Sequence, residues 1–299
     1  METRTSFPAA TLCLALGLAS AIPGCARGED RPRGFVESDD AGPPSEPTTG
    51  FEDNDGGAPL IPEPPECADE AAQQIYVVAT DKGFYRFYPE KLTFERVGTL
   101  GCPTTEGTFS MAIDRRGTAW VEYTDGRVYA VDTHDATCKP TAFKPGQTGF
   151  DSFGMGFALN SDDPKDGEKL YVAGNGLATL DTKSFELTFL GSLATGRSEL
   201  TAIGSQLFAF SVDSGVVTRL NKATGASEAT YRTSAVEDLG GFAFAHWGGQ
   251  FWLFTGRGSS SKVTTYSPAT DQSTVVVPST GMLIVGAGSS TCAPLTPPK

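Results

Sequence analysis

Histidine is scarce in this chain of 299 residues, which contains only two, His134 and His246. Nucleophilic catalysis by serine or cysteine needs a base beside the nucleophile, and histidine is the usual one. The chain also has no G-x-S-x-G elbow, no complete G-x-G-x-x-G loop, no Walker loop, no H-E-x-x-H pair and no C-x-x-C pair. The sequence therefore carries no positive signature of catalysis and predicts no catalytic residue and no metal ligand set.

Basic charge and long apolar runs are also scarce. Lys and Arg number 23 against 36 Asp and Glu, which gives a net charge of −13, and no basic stripe occurs, so nucleic acid is not an expected partner. No window has a helical period long enough for a helix bundle. The apolar run at residues 11–22 is too short to span a bilayer and is typical of a secretion signal.

Two cleavage sites compete at the end of this signal. The sequence ASA at 19–21 suits ordinary signal peptidase, whereas IPGC at 22–25 resembles a bacterial lipobox apart from its proline. If Cys13 is removed and Cys25 is acylated, four cysteines remain, an even number that suits an oxidising compartment. We therefore predict a signal peptide over 1–24 and a lipid on Cys25.

An acidic, proline-rich segment follows the predicted lipid. Residues 26–66 contain eight prolines and eleven acids against three bases, with few aliphatic side chains to bury. Such a composition cannot offset the entropy of ordering. We predict a disordered tether over 25–66, a folded domain over 67–294 and a short tail over 295–299.

Five aromatic-centred segments recur along the folded domain. They are QIYVVAT, TAWVEY, EKLYVAG, SQLFAFS and GQFWLFT, centred on Tyr76, Trp120, Tyr171, Phe208 and Trp252. The repeat length is that of a propeller blade of four strands, which occupies about 40 to 50 residues. The sequence predicts an all-β propeller of five four-stranded blades, with six blades or a Gly-rich sandwich as alternatives, and it predicts that these aromatic residues pack between blades.

The order of strands within the repeat predicts how the ring closes. Each blade opens on a strand rich in Gly, Ala and Ser, as expected where inner strands converge on a crowded axis. The first blade lacks this strand, and residues 281–292 (GMLIVGAGSSTC) supply a matching one at the other end of the domain. The C-terminal strand is therefore predicted to be the inner strand of the N-terminal blade.

This repeat resembles the blades of quinoprotein-like and related propellers over 67 to about 294. The whole chain is similar to bacterial envelope lipoproteins that carry a β-propeller domain. Ala26, directly after the lipidated cysteine, is similar to the residue found in lipoproteins sorted to the outer membrane. The resemblance implies an architecture and a location in the cell envelope, on either side of the outer membrane, and it implies no activity.

Two disulfides are predicted among the four remaining cysteines. Closure places Cys67 and Cys292 in the same connection, where a bridge would replace the missing peptide link; two buried free thiols are the alternative. Cys102 and Cys138 nominally lie at opposite faces of the disc, so parity favours their pairing while strand length opposes it.

Acidic residues precede four of the five inner strands. They are Glu106, Asp151, Glu199 and Asp238. Converging carboxylates would form a negative funnel able to hold calcium or to attract a cationic ligand; the alternative is acids in ordinary exposed loops. The acidic loop at 160–168 does not match a calcium-binding register and is interpreted as a solvated insertion.

Two functional hypotheses remain open at this point. The first is a lipid-anchored binding or scaffolding module whose partner, a protein or a small ligand, engages one face of the disc. The second is a propeller enzyme or cofactor-binding protein that uses channel carboxylates around a metal. Phe150 and Trp247, in predicted connections, are candidates for an exposed binding face, and His246 is expected at a mouth of the channel or in a hydrogen bond.

Overall fold

The computed structural model describes residues 66–67, 70–235 and 240–298. They form five four-stranded antiparallel sheets. Short 3₁₀ helices span Glu70–Gln73, Gln147–Gly149 and Pro164–Asp166. No helix in these ranges has the length and apolar character that crossing a membrane requires.

Each sheet is one blade, and its strands follow one another along the chain. Blade 1 contains β1 (Ile75–Ala79), β2 (Gly83–Tyr88) and β3 (Thr93–Thr99). Blade 2 contains β4 (Thr108–Ile113), β5 (Thr118–Tyr123), β6 (Val128–Asp132) and β7 (Cys138–Pro140). Blade 3 contains β8 (Gly154–Leu159), β9 (Glu168–Gly174), β10 (Gly176–Leu180) and β11 (Leu187–Gly191).

The last two blades repeat this plan. Blade 4 contains β12 (Ser198–Ile203), β13 (Gln206–Ser211), β14 (Val216–Leu220) and β15 (Ser227–Arg232). Blade 5 contains β16 (Gly241–Trp247), β17 (Gln250–Arg257), β18 (Ser260–Ser267) and β19 (Gln272–Val277). The strand β20 (Ile284–Ser289) completes blade 1.

The closing strand lies where the sequence predicts it. β20 pairs antiparallel with β1, with Tyr76 opposite Gly288 and Val77 opposite Ala287, so the order of blade 1 is β20-β1-β2-β3. The inner strands β4, β8, β12, β16 and β20 contact one another in a closed circle. The five-bladed propeller and its circular closure are confirmed.

The two faces of the disc follow from the strand directions. We call face A the face at which the inner strands begin and face B the face at which they end. Because neighbouring strands are antiparallel, the connections between blades lie on face A. The turns from the first to the second strand and from the third to the fourth strand lie on face B.

Small residues allow the inner strands to approach closely at the axis. A Cβ atom added at Gly154 of β8 would lie 2.0 Å from the carbonyl oxygen of Ser198 in β12. A Cβ atom at Gly286 of β20 would lie 3.1 Å from the amide nitrogen of Met111 in β4. The first distance is shorter than real Cβ atoms show and the second is tighter than most of their contacts, so the crowded axis explains the glycine in these strands.

Aromatic side chains fill the space between blades. The five repeated aromatic residues are all at most 8% exposed, as predicted from their recurrence. Phe210 of blade 4 lies 5.7 Å from Phe244 of blade 5 between ring centroids, and Phe87 of blade 1 lies 5.4 Å from Trp252 of blade 5. These contacts bury apolar surface at each blade interface and hold the disc together.

Both predicted disulfides are present. Cys67 and Cys292 are bridged with their Cα atoms 5.4 Å apart, and Cys102 and Cys138 are bridged at 5.1 Å. The second bridge joins blades 1 and 2, although simple strand counting places its cysteines at opposite faces. Sheet twist of about 20 to 25° per strand accounts for the difference. It turns the end of β3 toward the β6–β7 turn, so a Cβ atom at Gly98 would lie 2.8 Å from that of Ala136.

The Cys67–Cys292 bridge is also attached to blades 2 and 3. The amide of Cys67 donates to the carbonyl oxygen of Arg115, 3.0 Å away. The Glu168 carboxyl accepts from the Arg115 amide at 2.8 Å and from the Thr291 hydroxyl at 2.7 Å. Burial raises the pKa of Glu168 to about 7. Hydrogen bonds on face B therefore join the closing connection of blade 1 to blades 2 and 3.

Removal of the closing disulfide should destabilise the propeller more than removal of the other one. The chain-entropy treatment gives about 5 kcal/mol for a sequence separation of 225 and about 4 kcal/mol for a separation of 36. Urea unfolding of Cys67→Ser/Cys292→Ser and of the matched Cys102→Ser/Cys138→Ser variant measures both losses. A wild-type midpoint for the first variant would contradict a stabilising role for the bridge.

Candidate functional site

A cleft of about 300 Å³ opens on face A near the start of the inner strands of blades 3 and 4. Its apolar lining includes Phe109, Phe153 and Phe242, and its polar lining includes Arg197 and Glu199. Small residues beside them keep the cleft open. Apolar recesses with a few converging polar groups are the usual form of a small-molecule site.

The four predicted acids do not occupy equivalent positions. Glu106 is exposed and accepts a hydrogen bond from the Thr124 hydroxyl at 3.3 Å. Asp151 is also exposed and lies beside Gly146. Glu199 is 2% exposed and reaches the interior. Asp238 lies outside the described residues, as does the predicted lipidation site Cys25.

Glu199 connects three blades near the axis. It lies in β12 of blade 4, and its carboxyl accepts from the Ser110 hydroxyl of β4 in blade 2 at 2.8 Å. The Met155 amide of β8 in blade 3 also donates to it. Because Gly154 lets β8 lie against β12, this side chain crosses from blade 4 to blade 2 at face A.

Glu122 is a second buried acid, which lies behind the cleft lining rather than in it. It lies in β5, is 0% exposed, and its Oε2 accepts from the Phe153 amide at 3.1 Å. Its Oε1 has no hydrogen-bond partner among the described residues. It pairs across the sheet with Ser110, the residue that donates to Glu199.

Glu122 can be recognised from the sequence when the five blades are compared at one position. Two positions after each aromatic anchor the other four blades carry Val78, Ala173, Phe210 and Phe254. Blade 2 alone carries an acid at this buried position. A carboxyl group in place of an apolar side chain is costly unless it is compensated, so it marks a site of interest.

Burial determines the protonation of both acids. It raises the pKa of Glu199 and of Glu122 well above the usual range of glutamate. The negative charges of Glu199 and Asp125 raise the pKa of Glu122 further. Two neighbouring carboxyls in a low-dielectric site hold protons that exposed carboxyls would release. The pair can donate hydrogen bonds when protonated, or it can hold a cation when ionised.

Wider grooves lie on face B. They have volumes of about 700, 630 and 480 Å³ and are lined by turn residues of blade 2, of blades 5 and 1, and of blade 4. The 630 Å³ groove is covered in part by Pro297 and Pro298 of the C-terminal tail. Unlike the face A cleft, the 630 Å³ groove has no buried charged side chain in its lining.

Two aromatic residues proposed for an exposed face are buried, so that prediction is wrong. Phe150 is 0% exposed and packs beside Phe153, with 6.3 Å between ring centroids. Trp247 is 7% exposed, and its indole nitrogen donates to the carbonyl oxygen of Gln73 at 2.9 Å. Trp247 belongs to β16 rather than to a connection, which places it against blade 1.

Both histidines lie on face B, at the opposite face of the disc from the cleft. His134 is exposed in the β6–β7 turn beside Asp132, with 3.0 Å between Nδ1 and the carboxyl oxygen. His246 is 1% exposed at the face B end of β16, and burial lowers its pKa to about 4. It is therefore neutral at physiological pH.

Within the described ranges, no group of three or more His, Cys, Asp or Glu side chains is arranged to hold a metal ion. In the acidic loop at 160–168, Asp162 accepts from Ser205, Asp163 accepts from the Lys165 amide and Asp166 accepts from Ser161. These carboxylates are engaged by local donors. Calcium binding at the face A acids stays a prediction.

Replacement of Glu122 by glutamine should reduce the pH dependence of stability. Because the pKa of Glu122 is raised on folding, its favourable contribution is complete below the unfolded value of about 4.3 and is lost as pH rises through the folded value. The Glu122→Gln variant should therefore gain stability relative to wild type between pH 4.5 and pH 9. Urea unfolding at both pH values measures this gain, with exposed Glu106→Gln as the charge-matched control. A wild-type-to-variant difference that is the same at both pH values would contradict the burial argument.

No protein-family model and no curated protein matches the chain. Among solved structures it is similar to a chain of the nidogen/laminin complex, with a TM-score of 0.45 and 9% identity over 73% of this chain and 98% of that one. It is similar to a chain of the mitotic checkpoint complex, with a TM-score of 0.37 and 13% identity over 68% of this chain and 60% of that one. It is also similar to a catalytically inactive virginiamycin B lyase from Staphylococcus aureus, solved with quinupristin, with a TM-score of 0.36 and 14% identity over 67% of this chain and 68% of that one. The assignment of the propeller rests on the sheet topology of the chain itself.

Proposed function

We propose that this protein is a non-catalytic binding module of the bacterial cell envelope and that its ligand or partner binds at the face A cleft. The main support is the geometry of this cleft, which combines apolar walls, a volume of about 300 Å³ and the buried carboxyl group of Glu199 in its lining. Concave apolar sites with few, well-placed polar groups give both affinity and specificity.

The topology of the disc supports face A as the binding face. There the Ser110 hydroxyl of blade 2 donates to Glu199 of blade 4, and the amide of Phe153, which precedes blade 3, donates to Glu122 of blade 2. A ligand in the cleft would therefore contact groups that several blades hold in fixed positions. Sites built on rigid elements lose little entropy when they bind.

The envelope location is the second part of the proposal. The secretion-type signal, the lipobox-like IPGC sequence and the acidic tether at 25–66 support attachment through a lipid on Cys25. Two disulfides are consistent with an oxidising compartment. The tether would let the disc reach partners near the membrane surface, and an outer-membrane position stays a prediction.

Blocking the cleft should abolish partner capture. Ser152 is exposed in the lining of the cleft, so Ser152→Trp fills it without changing charge or core packing. Thr270→Trp makes the same kind of change in an exposed turn on face B. Chemical crosslinking in the native envelope, followed by purification of each full-length form, should show partners lost only with Ser152→Trp. Loss with Thr270→Trp alone would place binding on face B and contradict the proposal.

A Cys25→Ser form separates location from recognition. If the lipid serves to position the disc, this form should lose its envelope partners in cells. The same purified form should regain them when it is added to isolated membranes at higher concentration, because the cleft is intact. A form that stays at the membrane without Cys25 would contradict the lipid anchor.

A further inference from the structure

The Cys67–Cys292 disulfide lies beside a positive charge on face B. The guanidinium of Arg115, in the turn between β4 and β5, donates from Nη2 to the Sγ atom of Cys67 at 3.6 Å. A cation beside a sulfur favours the thiolate, and a sulfur that is stable as a thiolate leaves more readily in thiol–disulfide exchange. The contact therefore favours cleavage of this bridge with Cys67 as the leaving group.

Arg115 is held at this position by contacts with its surroundings. Its side chain is 11% exposed, and its Nη1 donates to the carbonyl oxygen of Pro164 at 2.5 Å. Its own carbonyl oxygen accepts from the Cys67 amide at 3.0 Å and lies 3.9 Å from the Sγ atom of Cys292. A guanidinium fixed in a mostly buried site acts on a neighbouring charge more strongly than one in bulk water.

The charges around the bridge leave the Cys67 side net positive. Glu66 lies 3.5 Å from the Nε atom of Arg115 and 3.9 Å from Nη2 of Arg116, so one carboxylate is shared between two guanidinium groups. Its side chain is 44% exposed, which weakens its effect through solvent screening. One positive charge therefore stays uncompensated beside the Cys67 sulfur.

Acidic groups lie on the Cys292 side. Glu168 accepts from the hydroxyl of Thr291, the residue before Cys292, and the negative charge of Asp114 acts on Glu168. Negative charge at these groups disfavours a second thiolate at Cys292. The two sulfurs of the bridge are thus electrostatically distinct, with Cys67 the better leaving group and Cys292 the better target of an attacking thiolate.

The second disulfide has different surroundings. Cys102 is 7% exposed, and both Cys102 and Cys138 pack in the apolar cluster that contains Leu100 and Ala136. Apolar surroundings disfavour a thiolate and so oppose exchange. Both cysteines of the closing bridge are only half-buried, which gives a small thiol access to them.

We propose that the Cys67–Cys292 bridge is a redox-sensitive clasp that a dithiol reductant opens by attack on Cys292. The attacking thiolate forms a mixed disulfide with the Cys292 sulfur, and Cys67 leaves as a thiolate beside Arg115. The second sulfur of the reductant then attacks the first, and Cys292 leaves and takes up a proton. The dithiol loses two electrons and becomes a disulfide, and its other proton passes to solvent.

The opened clasp keeps its cysteines close together. β20 remains paired with β1, and Glu168 still accepts from the Arg115 amide and the Thr291 hydroxyl. These contacts favour re-formation of the bridge by an oxidant such as a disulfide of the same reductant class. Reduction detaches the segment before β1 from the segment after β20, whose Pro297 and Pro298 line the 630 Å³ groove. The inference goes beyond the proposed function, because it concerns face B and does not depend on the cleft.

Reduction of the full-length protein by dithiothreitol under native conditions tests the proposal. Samples alkylated at successive times and mapped by peptide mass report each bridge separately. The Cys67–Cys292 bridge should open at least about tenfold faster than the Cys102–Cys138 bridge, with the near-ultraviolet circular dichroism of the folded protein retained. Equal rates, the reverse order, or global unfolding as the first bridge opens would overturn the proposal.

Replacement of Arg115 separates its charge from its structural contacts. Arg115→Gln should slow opening of the closing bridge about tenfold and leave the Cys102–Cys138 bridge unchanged, whereas Arg116→Gln, the same change one residue further along, should have a much smaller effect. A role limited to holding the turn predicts the opposite sign, since a looser turn exposes the bridge. Faster opening in Arg115→Gln would therefore overturn the proposal.

Ionisation of the free thiol gives a second measurement that does not need the Arg115 variant to fold. In Cys292→Ser, the pH dependence of alkylation at Cys67 should give a thiol pKa at least about one unit below the ordinary 8.5. In the matched Cys138→Ser variant, the pKa of the Cys102 thiol should lie at or above that value. A Cys67 pKa that is not below that of Cys102 would contradict the effect of the guanidinium and overturn the proposal.

Discussion

The approach of β8 to β12 at Gly154 fixes the geometry on which the rest of the propeller depends. A side chain at Gly154 would meet the backbone of Ser198, so the inner strands can converge only where side chains are minimal. This narrow axis lets one glutamate of blade 4 bond to a serine of blade 2. It also brings a second acid, from the next strand of blade 2, close to the first. Close packing of the backbone thus produces the buried carboxyl pair, which a wider ring would leave separated and solvated.

Closure of the ring keeps the five inner strands at a fixed distance from the axis. The pairing of β20 with β1 joins the two ends of the domain, and the Cys67–Cys292 bridge fixes the same connection covalently. Glu168 ties this connection to blades 2 and 3, and the Cys102–Cys138 bridge joins blades 1 and 2 at the periphery. Contacts on face B therefore also hold the face A site rigid, because all five inner strands run between the two faces.

The repeat made the architecture predictable, because aromatic anchors and small-residue strands recur at the spacing of a blade. It also predicted the Cys67–Cys292 bridge, which needs only strand order. Features that depend on sheet twist or on side-chain direction could not be predicted from the repeat. Sheet twist brings Cys102 to Cys138, Trp247 continues β16 instead of entering a loop, and Phe150 folds back onto Phe153. Of the four predicted acids, Glu199 alone among those described reaches the interior, and the second member of the pair, Glu122, is visible only when blades are compared at one buried position.

Ring closure and the face A site should behave as one cooperative unit, which native-state hydrogen exchange of the β20 and β12 amides can measure because both strands line the axis and only β20 closes the ring. We expect amides of both strands to exchange with the free energy of global unfolding, and loss of the Cys67–Cys292 bridge to lower both values equally. Exchange of β20 through a local opening that leaves β12 protected would contradict it.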